Sequence, residues 1–501
     1  MNVLYILLII PILSLLGVLV AKKDRAIKIL SLAGSILQLL AATGITVYYV
    51  CLRGDVGSSA SMLFESSFDW FAPLNIAFSI GVDGISLIMI LLTALVVIAG
   101  ILVSWKIEKQ TKEFFFLIIL LSLSAYGFFI STNLFVLFFF LELAVVPKYL
   151  LIGIWGSGKK EYSAMKLALM LMFGSALVFL GISGLYYMAG EYGGHATWNI
   201  QELAKISLPV HVQEILYVIL FTGFGVFTAM FPFHTWAPDG HSSAPTAASM
   251  FLAGISMKLG GYGILRVATY LLPAGAQNLS WIFIILASVA IMYGAFATLM
   301  QKDLKYMNAY SSVSHCGFII LGVAMLTKAA FTGAVMQMVS HGVMTALFFA
   351  SIGMIYDRTH TREVDKLGGI LKQTPFIGTA FIIAGLCSLG LPGFSGFVSE
   401  MTIFVGSWER TGLFYRIATI LATASIVVTA VYILRAIGFA IWGSIKNKEY
   451  LLLKDATWSE RGAAILLIAA IIIIGVAPFL VTILIDADTS NIYRQFLLNN
   501  I

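Results

Sequence analysis

Long apolar runs separated by short polar clusters dominate the chain. A helix needs about 20 mostly apolar residues to cross the hydrocarbon core of a bilayer. The runs are longer and more continuous than the alternating pattern of a membrane β-barrel, so the sequence predicts an all-α membrane protein with 14 transmembrane helices. The predicted spans are 3–21, 26–51, 84–105, 114–131, 133–155, 164–189, 214–232, 245–271, 280–300, 306–326, 329–355, 375–405, 413–441 and 460–484.

Helices 7 and 12 are predicted to be broken. The first break is the Pro-rich run MFPFHTWAPDGHSSAPT and the second is LGLPGFSGF. Proline interrupts helical hydrogen bonding, and paired breaks in two halves of a chain are typical of inverted-repeat transporters. Because the breaks are five spans apart, we expect one five-helix repeat in helices 4–8 (114–271) and an inverted second in helices 9–13 (280–441). Both would lie within a single membrane domain, 1–501.

Basic residues in the loops indicate how the chain crosses the membrane. With the N-terminus outside, nineteen Lys and Arg residues fall in inside loops and five in outside loops. Positive charge concentrates in cytoplasmic loops, so we expect both chain termini outside. Lys22, Lys23 and Arg25 follow the first apolar run rather than precede it, which predicts a retained span and not a signal peptide.

Composition narrows the class of protein further. The hydrophobic fraction is 60% and the charged fraction is 11%, which excludes soluble domains, a disordered chain and an ordinary nucleic-acid binder. The net charge of +6 follows from loop topology and does not imply an acidic partner. Cys51, Cys316 and Cys387 are too scattered for a metal or disulfide framework. Since no nucleotide-binding motif is present either, we expect no cofactor and no redox chemistry in this chain.

Several ionisable residues fall inside the predicted spans. Each costs at least about 2.5–3.5 kcal/mol at mid-membrane, so such residues are functional candidates. Acids, lysines and histidines in successive helices are typical of a proton relay, because burial brings lysine and glutamate pKa values toward neutrality in general. The candidates are Glu142, Lys148, Lys166, Lys258, His315, His341 and Glu400.

Some of these candidates also have structural interpretations. Lys148 and Lys166 lie toward one end of their spans and could anchor the helices at the membrane interface. His315 and His341 could make hydrogen bonds between packed helices. Glu142, Lys258 and Glu400 lie among apolar residues or beside a helix break, which favours a functional role.

The motif HTWAPDGH in the first break contains two histidines that flank Asp239. Two histidines and an acid are metal-ligand types, but no second ligand cluster lies nearby in the sequence. Helix capping or hydrogen bonding is therefore the favoured role for His234 and His241.

Four longer motifs resemble the antiporter-like proton-pumping membrane chains of complex I (NADH:quinone oxidoreductase). They are FPFHTWAPDGHSSAPTAASMFLAGISMKLGGYG, QKDLKYMNAYSSVSHCGF, YDRTHTREVDKLGG and LPGFSGFVSE. The superfamily also contains subunits of multisubunit Na⁺/H⁺ antiporters and of membrane-bound hydrogenases. The short tail after the last span and the acid Glu400, where related branches tend to have lysine, resemble the chain M branch, whose mitochondrial counterpart is chain 4.

The resemblance implies a role for each candidate. Glu142 matches the fifth-helix acid, Lys258 the central lysine and Glu400 the outlet acid, and the matching relay positions are Lys166, His315 and His341. One residue departs from the family pattern, because Phe227 stands where a seventh-helix lysine usually pairs with the fifth-helix glutamate. We hypothesise that Lys148 or Lys166 is the partner of Glu142 instead.

The resemblance also implies partners and location. We expect neighbouring antiporter-like chains and other membrane subunits of complex I as partners, together with lipids, in a bacterial inner membrane. Flavin, iron–sulfur clusters and quinone would lie in partner subunits. Three alternatives stay open: a subunit of a Na⁺/H⁺ antiporter, a subunit of a ferredoxin- or hydrogenase-linked respiratory complex, and a membrane spacer that does not pump.

Overall fold

The computed structural model describes residues 2–56 and 62–498 and is mostly helical. The helices, in chain order, are α1 Ile6–Val20, α2 Asp24–Val56, α3 Gly84–Val103, α4 Thr111–Ile130, α5 Leu134–Leu143, α6 Val145–Trp155, α7 Lys160–Gly193, α8 Ile200–Leu203, α9 Val210–Phe227, α10 Trp236–Ser243, α11 Thr246–Phe251, α12 Met257–Gly263, α13 Pro273–Met300, α14 Leu304–Ala324, α15 Lys328–Thr359, α16 Pro375–Ser388, α17 Ser395–Glu409, α18 Leu413–Ala436, α19 Trp458–Val476 and α20 Phe479–Leu498. Two strands, β1 Leu63–Phe71 and β2 Ile76–Val82, precede α3.

Twelve helices in the described ranges are long and apolar enough to cross a membrane. They coincide with twelve of the predicted spans, which confirms the prediction of a multi-pass helical membrane protein. The other two predicted spans, 306–326 and 375–405, correspond to α14, a 21-residue helix, and to the pair α16 and α17.

The predicted loop 52–83 contains a β-hairpin, so the all-α prediction was wrong there. β1 and β2 pair antiparallel, with Phe68 opposite Phe78 and their rings stacked at 5.2 Å between centroids. Aromatic cross-strand pairs stabilise such hairpins. Ile80 and Val82 of β2 are buried against the helices, so the hairpin covers one end of the bundle.

Both predicted helix breaks are present. α9 ends at Phe227, and the chain turns through the next eight residues before α10 begins at Trp236. α16 ends at Ser388 and α17 begins at Ser395, with Gly390 and Gly393 between them at φ +73° and +95°. These positive φ values favour glycine, so the second break depends on both residues.

The last predicted span, 460–484, was wrong at its end. α19 stops at Val476, and a separate helix, α20, begins at Phe479 immediately after Pro478. Proline lacks the N–H that would continue the helical ladder. α20 then packs against α3 and α15, so the tail is a docked helix.

Two spans are buried throughout their most apolar stretch and form the centre of the bundle. They are α15 and the composite helix 246–269, which joins α11, α12 and two π-helical segments. These two central helices carry His341 and Lys258. The core therefore surrounds ionisable side chains that sequence analysis placed at mid-membrane.

We expect Gly406→Ala to lower the free energy of unfolding by about 1–3 kcal/mol through overpacking. A Cβ at Gly406 would overlap the backbone of Ala330, where α17 crosses α15. Alanine is the better helix former, so a loss of stability would come from the crossing alone. The matched control is Gly44→Ala, because a Cβ at Gly44 meets nothing within 4 Å. Thermal unfolding of both purified variants measures the effect, and equal stability of Gly406→Ala and wild type would contradict it.

Candidate functional site

Lys258 lies at the centre of the bundle on a short α-helical turn. α12 is flanked by π-helical segments at Leu252–Ser256 and Ile264–Thr269. The side chain is fully buried, and its Nζ bonds to the carbonyl oxygen of Ala253 and lies 2.6 Å from Nδ1 of His341 on α15. Since π-helical segments frequently occur at functional sites, the local backbone also singles out this turn.

His315 on α14 joins the second half of the chain to this centre. Its Nδ1 lies 3.2 Å from Oε1 of Glu400 on α17, and its Nε2 lies 3.0 Å from the hydroxyl of Ser388 at the end of α16. All three residues are buried. The helix break between α16 and α17 therefore brings Ser388 and Glu400 to one imidazole.

The surroundings of His315 offer polar neighbours to either neutral tautomer. When Nδ1 carries the proton it lies 3.2 Å from the Glu400 carboxylate, and Nε2 accepts from the Ser388 hydroxyl. When Nε2 carries the proton it donates to Ser388, and Nδ1 accepts from the amide of Gln337, 3.3 Å away. Gln337 is itself held by the Ser399 hydroxyl, 2.5 Å from its Oε1. A histidine with partners for both tautomers can pass a proton from one nitrogen to the other.

One gap interrupts the chain of polar contacts between Lys258 and Glu400. The rings of His341 and His315 are 5.4 Å apart between centroids, and Nε2 of His341 has no hydrogen-bond partner among the described residues. An unpartnered buried nitrogen is costly. A water molecule or a ring rotation is needed to complete the path.

Glu142 and Lys148 lie on either side of a helix interruption. α5 ends at Leu143 and α6 begins at Val145, close to Pro147. No ion pair within 4 Å joins Glu142 to another described residue, and Nζ of the buried Lys148 also lacks a hydrogen-bond partner there. Each side chain nevertheless acts electrostatically on the other. They form an open pair of opposite charges, with Ser175 of α7 as a further polar neighbour of Glu142.

Lys166 has a different partner. Its Nζ lies 2.7 Å from Oδ2 of Asp239 on α10, and each side chain is 24% exposed. Tyr306 donates to the other carboxylate oxygen at 3.3 Å. Asp239 lines an open cavity of about 630 Å³ that Ser242 and Arg362 also line. The structure thus places Lys166 at an accessible rim and away from Glu142.

His241 is a site residue that sequence analysis undervalued. Both its ring nitrogens are buried without hydrogen-bond partners in the described residues, and its ring stacks on Phe349 at 5.4 Å. It interacts electrostatically with both Lys258 and His341. The predicted capping or hydrogen-bonding role is therefore wrong for His241. Its position two residues after Asp239, in a Pro-rich break, was the available signal.

The HTWAPDGH motif also raised the question of a metal. No group of three His, Cys, Asp or Glu side chains in the described ranges is arranged to hold a metal ion.

Phe227, at the position where the family resemblance places a lysine, is the buried last residue of α9. Lys258 with two histidines and an acid forms one buried cluster, while Glu142 and Lys148 form a second.

Comparison with known proteins gives this arrangement a family. Residues 131–427, more than half of the chain, match the family described as NADH:quinone oxidoreductase/Mrp antiporter, TM. The chain belongs to this family. Among its curated relatives, NADH-quinone oxidoreductase subunit M of Rickettsia bellii is 36% identical over 91% of this chain and 90% of its own length.

Two further comparisons agree with membership of the NADH:quinone oxidoreductase/Mrp antiporter family. NAD(P)H-quinone oxidoreductase chain 4 2 of Microcystis aeruginosa is 35% identical over 89% of this chain and 85% of its own length. A chain of respiratory complex I from Thermus thermophilus superposes with a TM-score of 0.87 over 99% of this chain and 100% of its own, at 24% identity. That structural likeness shows a shared fold.

Proposed function

We propose that this chain is a proton-pumping membrane subunit of an NADH:quinone oxidoreductase (complex I). The observation that carries the proposal is the buried path from Lys258 through His341 and His315 to Glu400, which has one gap. The names of its relatives, subunit M and chain 4 of quinone oxidoreductases, support the assignment. Quinone reduction elsewhere in the complex would supply the free energy.

The path begins at the cavity beside Asp239. Asp239 and Tyr306 line this cavity, and the fully buried Lys305 bonds to the carbonyl oxygen of Ala244 at 2.8 Å nearby. His241 interacts electrostatically with both Lys305 and Lys258. A proton would enter at the cavity, reach Lys258 by way of His241, cross to His341 and His315, and leave through Glu400. Lys166 would adjust the charge of Asp239 at the entrance.

Glu142 and Lys148 would form the switch. Two unit charges about 4 Å apart at an effective dielectric near 20 interact by roughly 4 kcal/mol. Moving one proton against about 200 mV requires roughly 4.6 kcal/mol, at about 2.3 kcal/mol for each 100 mV. The free energy change on closing and opening one such pair is therefore close to the free energy needed to move one proton. The structure holds the pair open, and a signal from neighbouring subunits would close it.

The membrane arrangement follows from the same proposal. We infer 14 transmembrane helices with both termini outside, in a bacterial inner membrane, with inverted repeats at 114–271 and 280–441. The breaks between α9 and α10 and between α16 and α17 occupy corresponding positions of these repeats, which supports the division. The Asp239 cavity would then open on the side that is rich in lysine and arginine.

Partners would supply what this chain does not. Neighbouring antiporter-like chains would contact its lateral helices, and lipids would cover the rest of its apolar surface. Flavin, iron–sulfur clusters and quinone would belong to other subunits, because the sequence has only three scattered cysteines and no nucleotide-binding motif. The chain's own residues would hold and move protons only.

Native purification in mild detergent tests the assignment. We expect flavin and iron–sulfur absorbance, mass-spectrometric identification of redox subunits, and NADH-driven quinone reduction in the purified assembly. Small membrane subunits without a redox chromophore would instead indicate a Na⁺/H⁺ antiporter, the second candidate that the family description includes. Redox subunits driven by ferredoxin or hydrogen would indicate the third candidate, a ferredoxin- or hydrogenase-linked complex.

A further inference from the structure

A third group of charges lies at the far end, from the Asp239 cavity, of the composite helix 246–269, which we call the Lys258 helix. We call Arg53, Asp83, Arg266 and Asp488 the Asp488 cluster. Asp488 of α20 accepts hydrogen bonds from Arg53 Nη2 at 2.8 Å and Nη1 at 3.2 Å, and from the backbone N–H of Gly84 at 2.7 Å. Arg266 forms an ion pair with Asp83, whose Oδ1 caps α3 by accepting from Ser86 N–H at 2.8 Å.

Three of the four side chains are buried, Arg53 is partly exposed, and the charges of the cluster balance. Asp83, Arg266 and Asp488 are 0%, 6% and 2% exposed, and the cluster contains two positive and two negative side chains. Buried charges are tolerated when they are paired, and removing one partner leaves an uncompensated charge. Arg266 also interacts electrostatically with Asp488. Neutralising any one member therefore leaves a net charge inside the protein.

The cluster is connected to Lys258 by the face of one helix. Lys258, Tyr262 and Arg266 follow each other at intervals of four residues, so they share a face, and about 12 Å separates the first from the last along the axis. The Tyr262 hydroxyl lies 2.9 Å from the Ser86 hydroxyl on α3. Two successive turns of the Lys258 helix are thus tied to the start of α3.

These ties matter because of the local backbone. π-helical segments lie on both sides of the α-helical turn that carries Lys258, so the regular α-helical hydrogen-bond ladder is interrupted before and after it. α20 packs closely against the start of α3, since a Cβ at Gly84 would overlap the carbonyl of Leu484. The C-terminal helix therefore reaches the Lys258 helix through Asp488, the adjoining residues Gly84 and Asp83, and Arg266.

We propose that Asp488 is a positioning residue for proton translocation, which with Arg53 keeps the cluster electrically balanced and so holds the Arg266 end of the Lys258 helix in place. This inference rests on the proposed function. An unbalanced unit charge about 12 Å from Lys258, at an effective dielectric near 20, changes the protonation equilibrium there about tenfold. The number of protons moved per electron therefore depends on the charge balance of the cluster.

The test uses the purified whole complex in sealed vesicles. This chain's contribution to protons per electron is the drop measured for Lys258→Met. Asp488→Asn and Arg53→Gln unbalance the cluster in opposite directions. We expect each of them to reduce that contribution at least twofold. The double variant, which is balanced again, should recover most of the loss. A purely structural role would instead lower the amount of assembled complex without changing protons per electron.

The matched control is Asp486→Asn on the same helix, since Asp486 is 59% exposed and pairs with the exposed Lys328. We expect no change for this variant. Wild-type stoichiometry in Asp488→Asn or a double variant as impaired as Asp488→Asn overturns the inference. If Asp488→Asn does not assemble, Arg53→Gln decides, because it leaves the Gly84 contact intact, and unchanged stoichiometry there overturns the inference too. A fully pumping Lys258→Met complex would instead overturn the proposed function.

Discussion

Replacing Lys258 with methionine should remove this chain's entire contribution to proton translocation. Methionine keeps the length of the side chain but has no titratable group, and the lost Nζ is the atom 2.6 Å from Nδ1 of His341. Because the side chain is completely buried, bulk water does not replace it. Proton uptake into vesicles, divided by NADH consumed by the same preparation, measures the loss.

The matched control is Lys366→Met, which removes an exposed lysine paired with Glu363. Exposed pairs contribute about 0–1 kcal/mol, so we expect wild-type pumping. Native electrophoresis verifies that both variants assemble. A Lys258→Met complex that assembles and moves as many protons per electron as the control would contradict the relay.

Lys148→Met should reduce proton translocation as much as Glu142→Gln, whereas Lys166→Met should have a small effect. The two lysines should differ because their surroundings differ. Lys148 is buried and its charge acts on Glu142, while Lys166 is partly exposed and paired with Asp239. The structure thus favours Lys148 among the two partners considered for Glu142. The same vesicle assay with all three variants distinguishes them.

A double-mutant cycle sharpens this prediction. If Glu142 and Lys148 act as one switch, Glu142→Gln/Lys148→Met should pump no worse than either single variant, since effects within one unit are not additive. The cycle of Glu142→Gln with Lys166→Met provides the control, and its effects should add. Additive losses for Glu142 and Lys148, or full activity of Lys148→Met, would contradict the switch. The family's seventh-helix lysine, which is Phe227 in this chain, would then have no substitute.

Hydropathy predicted most of the architecture because lipid imposes a simple rule. A span must be long, apolar and helical, and twelve predicted spans correspond to helices that meet that rule. The rule says nothing about loops or tails. The hairpin of β1 and β2 and the docked helix α20 depend on tertiary contacts with the bundle, so they escaped prediction. Pro478 was the only local signal in the sequence that α20 begins as a separate helix.

The candidate site was likewise predictable only in part. Lys258, His341, His315 and Glu400 were each identifiable as ionisable residues among apolar ones, and the structure brings them together. Their order could not be derived from spacing, because it depends on how four different helices pack. The Asp488 cluster was missed for a related reason. Arg53 and Arg266 lie near span ends, where basic residues ordinarily reach the interface, and their acidic partners come from distant segments.

The partner of Lys166 could not be predicted from the sequence. Its place in an apolar span and the family resemblance suggested a relay position or a bond to Glu142. The break before α10 instead brings Asp239 to within 2.7 Å. Since a broken helix exposes backbone and side chains that a regular span would bury, the cavity at its edge could be recognised only in three dimensions.

The most direct test of the whole account is NADH-driven proton movement by the purified assembly in sealed vesicles, with and without sodium. We predict acidification of the vesicle lumen that follows quinone reduction, is unchanged when sodium is removed, and falls by this chain's share in Lys258→Met. Proton movement that requires a sodium gradient and proceeds without NADH would contradict the account and identify a cation/proton exchanger.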